Sequence, residues 1–306
     1  MNCVDEVKNE ARIKAGNLEP WGNYFELRGM EMENLLSFIN LKDCGKLLEI
    51  GCGNGFNSCV LSKFADSVIA TDLYGQDSKS HSVGMGTAKE LTARLAIRNC
   101  ELVSCSGEDL PFKAGMFDMV FSMYTLEHVP NREKMIADVK RVLKKGGLFI
   151  VIVPNFMERV AYYPVIFYAD FLSAMWHRLF TRSSGRISKK DTMTIVSGDD
   201  NLGIFERMKK NRPHFPLPEP HGAYKNYFDE VYNYLPSRWK RLLLESGLEE
   251  VDIFSFMVLP RNLISLVFRR FGLDIYKRLS WIERRVGGNP VIKNFGQNIC
   301  FILRKA

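Results

Sequence analysis

Directly behind the apolar run Lys46–Ile50 stands the stretch GCGNG, with glycines at 51, 53 and 55, and behind that Phe56–Phe64 reads as a helix. A strand that passes through a glycine turn into a helix cannot pair with its successor by a hairpin. It must return by a crossover, and crossovers of this kind build parallel sheets covered on both faces. Glycine belongs in such a turn where φ is positive or where a side chain would collide with a ligand approaching the backbone. This one feature therefore restricts the chain to open α/β architectures with a ligand at the strand ends.

The rest of the sequence follows the same rhythm. Apolar runs predict strands at Lys46–Ile50, Ser67–Thr71, Glu101–Cys105, Phe117–Ser122 and Leu148–Val153, with two more near Glu250–Met257 and Asn298–Leu303. Helical spacing predicts Phe56–Phe64, Ala88–Ile97, Arg132–Leu143 and Ser237–Ser246, and KKGG at Lys144–Gly147 reads as a helix stop. The expected fold class is α/β, a doubly wound and mostly parallel seven-stranded sheet with two insertions. Residues 1–45 read as an N-terminal helical cap, and 46–306 as the main domain. Its insertions span 154–236, an acceptor lid, and 260–297, a basic amphipathic helix; both are too long for plain connections.

Composition narrows the function classes. Of 306 residues 46% are apolar and 25% charged, the profile of an ordinary globular chain. No run of eighteen apolar residues is present, and MNCVDEVKNEARIK carries no apolar signal core, so neither a spanning helix nor a secretory leader is expected. Seven scattered cysteines without a CxxC pair point to a reduced, cytoplasmic compartment, and the five histidines show no metal-ligand spacing. The net charge of +7 is local: from Arg261 onward ten Lys/Arg and two Asp/Glu give +8, leaving 32 basic and 33 acidic groups elsewhere, or −1. A neutral body disfavours nucleic acid as partner.

Two ligand classes use a glycine turn behind a strand, dinucleotides and S-adenosylmethionine. The dinucleotide pattern is G-x-G-x-x-G, whereas Gly51, Gly53 and Gly55 follow G-x-G-x-G. Glu49 beside the turn would repel a pyrophosphate and suits a ligand carrying an ammonium and a sulfonium. Further motifs follow in order: VIATDL ending in Asp72 and Leu73, SGEDLPF from Ser106, FDMVFSMYTLEHV from Phe117 and VLKKGGLFIV from Val142. Together they resemble the class I S-adenosylmethionine-dependent methyltransferases, specifically the type 11 group that includes ubiquinone and menaquinone biosynthesis enzymes, over about 110 residues.

The resemblance implies a Rossmann-like methyltransferase fold and S-adenosylmethionine as cofactor. It places Glu49, Gly51, Gly53 and Gly55 around the methionine and ribose portions, with Cys52 in the same turn. Asp72, with Leu73 beside it, would hold the ribose diol. Ser106, Gly107 and Glu108 would approach the adenine, and Ser122 the methionine part. One departure is Ser106, where many relatives carry an acid. Nucleobase N-methyltransferases carry a [DN]-P-P-[YF] element after the fourth strand. Here SMYT stands instead, which favours methylation of oxygen or carbon on a small hydrophobic or lipid-linked acceptor. Methyl transfer can proceed by positioning alone. For a base, the candidates are His128 and Tyr124 in the fourth-strand loop and His221, near Tyr224, in the first insertion.

The insertions bear on the acceptor. Val160–Phe180 is aromatic and nearly apolar, which fits a lid, a wall for a hydrophobic acceptor or a surface resting on a bilayer. In the second insertion, Ile264, Phe268, Phe271, Ile275, Leu279, Ile282 and Val286 form an apolar stripe beside Arg270, Lys277 and Arg284. Such a helix either packs on the sheet with a solvated basic rim or makes peripheral contact with an anionic membrane.

Overall fold

In a computed structural model, the described residues are 3–15, 21–39, 41, 44–73, 85–162, 220, 224–256, 278, 282, 285–286, 289 and 292–306. Within them, α1 (Cys3–Ala15) and α2 (Trp21–Phe38) precede β1 (Cys44–Ile50), α3 (Phe56–Leu61), β2 (Ala65–Asp72), α4 (Met85–Arg94) and β3 (Cys100–Ser104). Then come β4 (Phe117–Met123), α5 (Arg132–Val142) and β5 (Leu143–Pro154). The first insertion ends with α6 (Tyr227–Asn233), after which follow α7 (Pro236–Glu245), β6 (Leu248–Phe256) and β7 (Asn298–Lys305).

The strands form one seven-stranded sheet in the order β3-β2-β1-β4-β5-β7-β6. The first four pairings are parallel, and β7 runs antiparallel between β5 and β6. The predicted doubly wound, mostly parallel sheet is therefore present. The winding direction reverses between β1 and β4, and at such a switch point the loops leaving two neighbouring strands diverge and open a crevice. The glycine turn leaves β1 there, and Tyr124–His128 leaves β4.

Strand side chains alternate between two apolar layers. Leu47, Met119, Phe121, Ile150 and Ile152 face the layer that holds α1, α2 and α3. Leu48, Ile50, Val120, Phe149 and Val151 face the layer that holds α5 and α7. In α2, Phe25 packs against Phe56 of α3, and Phe38 stacks on Phe254 of β6 with ring centres 4.5 Å apart. The N-terminal helices thus cover the same face of the sheet.

The KKGG turn departs from expectation. The helix stops at Val142, Leu143 already pairs with Phe117, and Met119 pairs with Leu148, so β5 carries three extra residues opposite one step of β4. Gly146 takes φ +76°, and a side chain on Gly147 would meet the Lys144 and Asp118 carbonyls. The glycines serve a strand bulge rather than a helix cap. At the other end Asn131 caps α5, its side chain accepting from the Lys134 amide at 2.9 Å.

The first insertion starts and ends at fixed points. A π-helical turn, Glu158–Tyr162, follows β5. Its Arg159 is fully buried against Glu230 of α6 at 2.7 Å, and the Tyr227 hydroxyl donates to the Arg159 carbonyl. Nearby, the Trp239 indole donates to the Pro154 carbonyl, and the Asn155 amide group donates to the Asn294 and Gly296 carbonyls. Of the apolar stretch Val160–Phe180 only the first residues are described, and the basic amphipathic stretch lies almost wholly outside the described residues. No helix among the described residues is long and apolar enough to cross a membrane.

Candidate active site

The Gly51 and Cys52 amides both donate to the Thr71 carbonyl, at 2.8 and 2.9 Å, which turns the chain sharply off β1. Gly51, Gly53 and Gly55 all have positive φ, +82°, +52° and +79°. Their surroundings differ. A Cβ on Gly51 would fall 1.9 Å from the Thr125 hydroxyl, and one on Gly55 would fall 2.7 Å from the Ala88 Cβ. A Cβ on Gly53 would meet nothing within 4 Å among the described residues, so with respect to them bare backbone there faces open space. Gly51 and Gly55 let protein pack close, and Gly53 keeps the mouth of the turn clear.

Two carboxyl groups flank this opening. Glu49 is only 1% exposed, and its Oε2 accepts from the Ser58 hydroxyl while Oε1 has no hydrogen-bond partner among the described residues. Burial pushes its carboxyl up to about 7 against the Ser58 hydroxyl and, more weakly, the Asn57 side chain, and the negative charge of Asp72 adds to the rise. A buried carboxylate oxygen without a donor is a strong demand for a cationic or N–H partner. An ammonium-bearing ligand meets it, and a pyrophosphate does not. These residues therefore fit the methyl donor that the sequence implied.

Asp72 closes the other side. Its Oδ2 accepts from the Gly53 amide at 2.6 Å and its Oδ1 from the Leu73 amide at 2.7 Å, so it first fixes the turn. An ionised carboxylate offers about four acceptor positions, which leaves two for a diol. Ser122 is fully buried, its hydroxyl directed to the Ile50 carbonyl, and Cys52 places its side chain in the core. Ser106 accepts from the Glu108 amide, while Gly107 packs where a Cβ would stand 3.0 Å from Ile50. Glu108 accepts from the Asn131 amide at 2.5 Å, bracing this segment against the start of α5.

The loop after β4 differs most from what the sequence suggested. His128 is the exposed member, with a side chain 56% open, and its Nε2 lies 3.9 Å from Glu127 Oε1, beyond hydrogen-bond reach. Glu127 is buried and pushed up to about 8, chiefly by burial, with Glu158 adding and Arg132 and Arg28 opposing. Tyr124 holds φ +56°, a conformation that bulky residues rarely adopt. Its hydroxyl donates to Glu31 Oε1 at 3.2 Å. Arg28 pairs with Glu31 Oε2 at 2.6 Å and lies 4.6 Å over the Tyr124 ring. Arg28 and Glu31 belong to α2, which carried no motif; their signal is charge at i and i+3 on a helix whose other buried positions are mostly apolar. Tyr224 is buried rather than facing an acceptor, its hydroxyl accepting from Arg132 and its ring under the same guanidinium. His221 lies outside the described residues.

Comparison with known proteins agrees with this geometry. Residues 48–151 match the family model described as "Methyltransferase domain". Among curated relatives, a sterol 4-C-methyltransferase of Caenorhabditis elegans is 29% identical over 134 residues, which is 41% of this chain and 38% of that protein. An 18S rRNA (guanine(1575)-N(7))-methyltransferase of Saccharomyces cerevisiae is 29% identical over 126 residues, 38% of this chain and 42% of that protein. A demethylmenaquinone methyltransferase of Staphylococcus aureus is 29% identical over 196 residues, 57% of this chain and 77% of that protein. The first two are thus matched over about two-fifths of their length. The solved structure of the [4+2]-cyclase SpnF superposes with a TM-score of 0.50 at 14% identity, covering 90% of this chain and 80% of that one. That likeness shows the Rossmann-like fold alone, and the cyclase shows that the fold does not dictate the reaction.

Proposed function

We propose, on the premise that residues 48–151 are a methyltransferase domain, that this chain transfers a methyl group from S-adenosylmethionine to oxygen or carbon of a small hydrophobic or lipid-linked acceptor. The observation that carries the donor half is the pairing of open backbone at Gly53 with the unpartnered Oε1 of buried Glu49. In this reading Glu49 takes the ammonium end of the donor, Gly51 to Gly55 lie along its methionine and ribose portions, and Asp72 takes the diol. Ser106 to Glu108 line the adenine. When bound, the donor supplies a methyl group activated on a sulfonium, and the chain's own part is to orient it and exclude water.

The acceptor half rests on the aromatic first insertion and on relatives named for sterol and demethylmenaquinone methylation. The basic 260–297 stretch would bring a cytoplasmic enzyme to an anionic membrane surface. A second reading, methylation of RNA, has the rRNA methyltransferase relative and the +8 charge from Arg261 onward in its favour. Calorimetry with S-adenosylmethionine tests the donor site, and absence of heat refutes it. Label transfer from the donor into lipid, quinone, sugar and RNA fractions of a cell extract then decides the acceptor. Label in lipid or quinone, with flotation on anionic vesicles, is the expected result. Label in RNA, lost as salt is raised, would favour the second reading.

A further inference from the structure

The loop after β4 and helix α2, far apart in sequence, meet in one hydrogen-bonded set. Tyr124 is the last residue before Thr125, and Thr125 occupies the space that the missing Gly51 side chain leaves. The Tyr124 backbone therefore lies next in the chain to a residue packed on the donor turn, where β4 leaves the sheet, and its phenol reaches to α2. It is held there against backbone preference, since a left-handed conformation costs a non-glycine residue about 1–2 kcal/mol. The Tyr124 amide donates to the Ile152 carbonyl, and the hydroxyl donates to Glu31 at 3.2 Å. Glu31 is itself fixed by Arg28, whose guanidinium lies over the same ring. A phenol that gives its proton to a buried carboxylate keeps its lone pairs for other donors, and Tyr124 as a whole is only partly buried.

We propose that Tyr124 and Glu31 form a proton path for an acceptor bearing an aromatic hydroxyl, a phenol or quinol. The acceptor's proton passes to the Tyr124 oxygen as the Tyr124 proton passes to Glu31 Oε1. The acceptor oxygen bonds to the methyl group as the carbon–sulfur bond breaks, the sulfur keeps the bonding pair and becomes a neutral thioether, and the proton ends on the Glu31 carboxylate. No other reactant is needed. Tyr124 is the residue that touches the acceptor, Glu31 acts through it, and Arg28 is a positioning residue. The charged groups around the phenol are Glu31 and Arg28 from α2 and Glu158 from the π-helical turn; burial, Glu31 and Glu158 keep Tyr124 protonated, its ionisation raised well above the ordinary value, against the opposing charge of Arg28. A protonated phenol is what a relay through it requires. This inference rests on the methyl-transfer reading.

The test uses the full chain, labelled S-adenosylmethionine and two acceptors, 2-naphthol and a reduced prenylated naphthoquinol. Tyr124→Phe and Glu31→Gln should each lower kcat by about 10²–10⁴-fold at neutral pH, the range of general acid–base assistance. The heat of donor binding should stay as in wild type. The double variant should fall no further than either single one, because the two groups act as a unit. As pH rises past the naphthol's own ionisation, the rates of both variants should climb back toward wild type, since the acceptor then arrives without its proton. A residue needed only for structure would give no such recovery. Wild-type kcat in Tyr124→Phe, multiplied losses in the double variant, or a donor-binding wild type that methylates neither acceptor each overturn the relay. A wild type giving no heat with the donor overturns the methyl-transfer reading and the relay with it. Thermal unfolding of each variant checks that the chain is folded, and if Glu31→Gln does not fold, the pH profile of Tyr124→Phe decides.

Discussion

Replacing Glu49 by Gln should make the protein more stable and less able to bind the donor. Folding moves this carboxyl from 4.5 to about 7, because the side chain leaves water and lies near Asp72. At about 1.36 kcal/mol per pKa unit, holding it as a carboxylate costs the folded state about 3 kcal/mol. The side chain is buried, so solvent screening does not reduce that figure. The sign follows from proton binding: between 4.5 and about 7 the folded chain keeps a proton that the unfolded chain has lost, so stability declines as pH rises through this window. Glutamine cannot ionise, yet it preserves volume and accepts from Ser58. The variant should match wild type at about pH 4 and exceed it by about 3 kcal/mol at about pH 8. For a chain of this size that is on the order of 5 °C in Tm. Glu127 also titrates near 8 but is common to both proteins, so its effect cancels in the difference. Thermal unfolding at several pH values measures the gap, and calorimetry should show donor binding weakened in the variant. Parallel pH curves for the two proteins would refute the reasoning, since they would mean that Glu49 ionises as freely as in water.

Three further outcomes are expected. Gly53→Ala should unfold within about 1–2 kcal/mol of wild type, the backbone cost of φ +52°, while donor affinity drops because the new methyl group enters the open mouth of the turn; calorimetry alongside chemical unfolding separates the two. Gly51→Ala, whose Cβ would overlap Thr125, should be destabilised more severely than Gly53→Ala in the same unfolding assay. Arg159→Met should cost about 3–5 kcal/mol by removing one member of a fully buried ion pair, and Arg159→Met with Glu230→Leu should recover most of that loss.

Where local pattern decides structure, the sequence was a good guide. β1, β4 and β5 are continuous apolar runs because both faces are covered, and each was placed within a residue or two except at the start of β5, which begins five residues early. There a basic, glycine-containing turn matches the composition of a helix stop, and only pairing with Phe117 shows that it is a bulge. The donor turn was legible because its glycines are adjacent in sequence. The hydrogen-bonded set around Tyr124 was not, since its geometry depends on α2 lying across the sheet. Tyr124 drew notice as a phenol in a loop, but Glu31 and Arg28, about 95 residues earlier, have no local signature. His128 and Glu127 show the same limit. Adjacent positions in a loop gave no means of telling which side chain would turn outward, and the imidazole is the one in solvent.

The buried tie between Arg159 and Glu230 has a consequence for how such a chain diversifies. It joins the exit and return of the first insertion, a few residues along the chain from the Asn155 and Trp239 anchors. The two ends of the segment are thus held to each other by a contact between residues near its start and its return. Doubling the length of such a segment costs only about 0.6 kcal/mol of closure entropy. Under the proposed function, a segment from a related chain with a different acceptor, grafted between these two ends, would change acceptor choice while the glycine turn, Glu49 and Asp72 stay untouched.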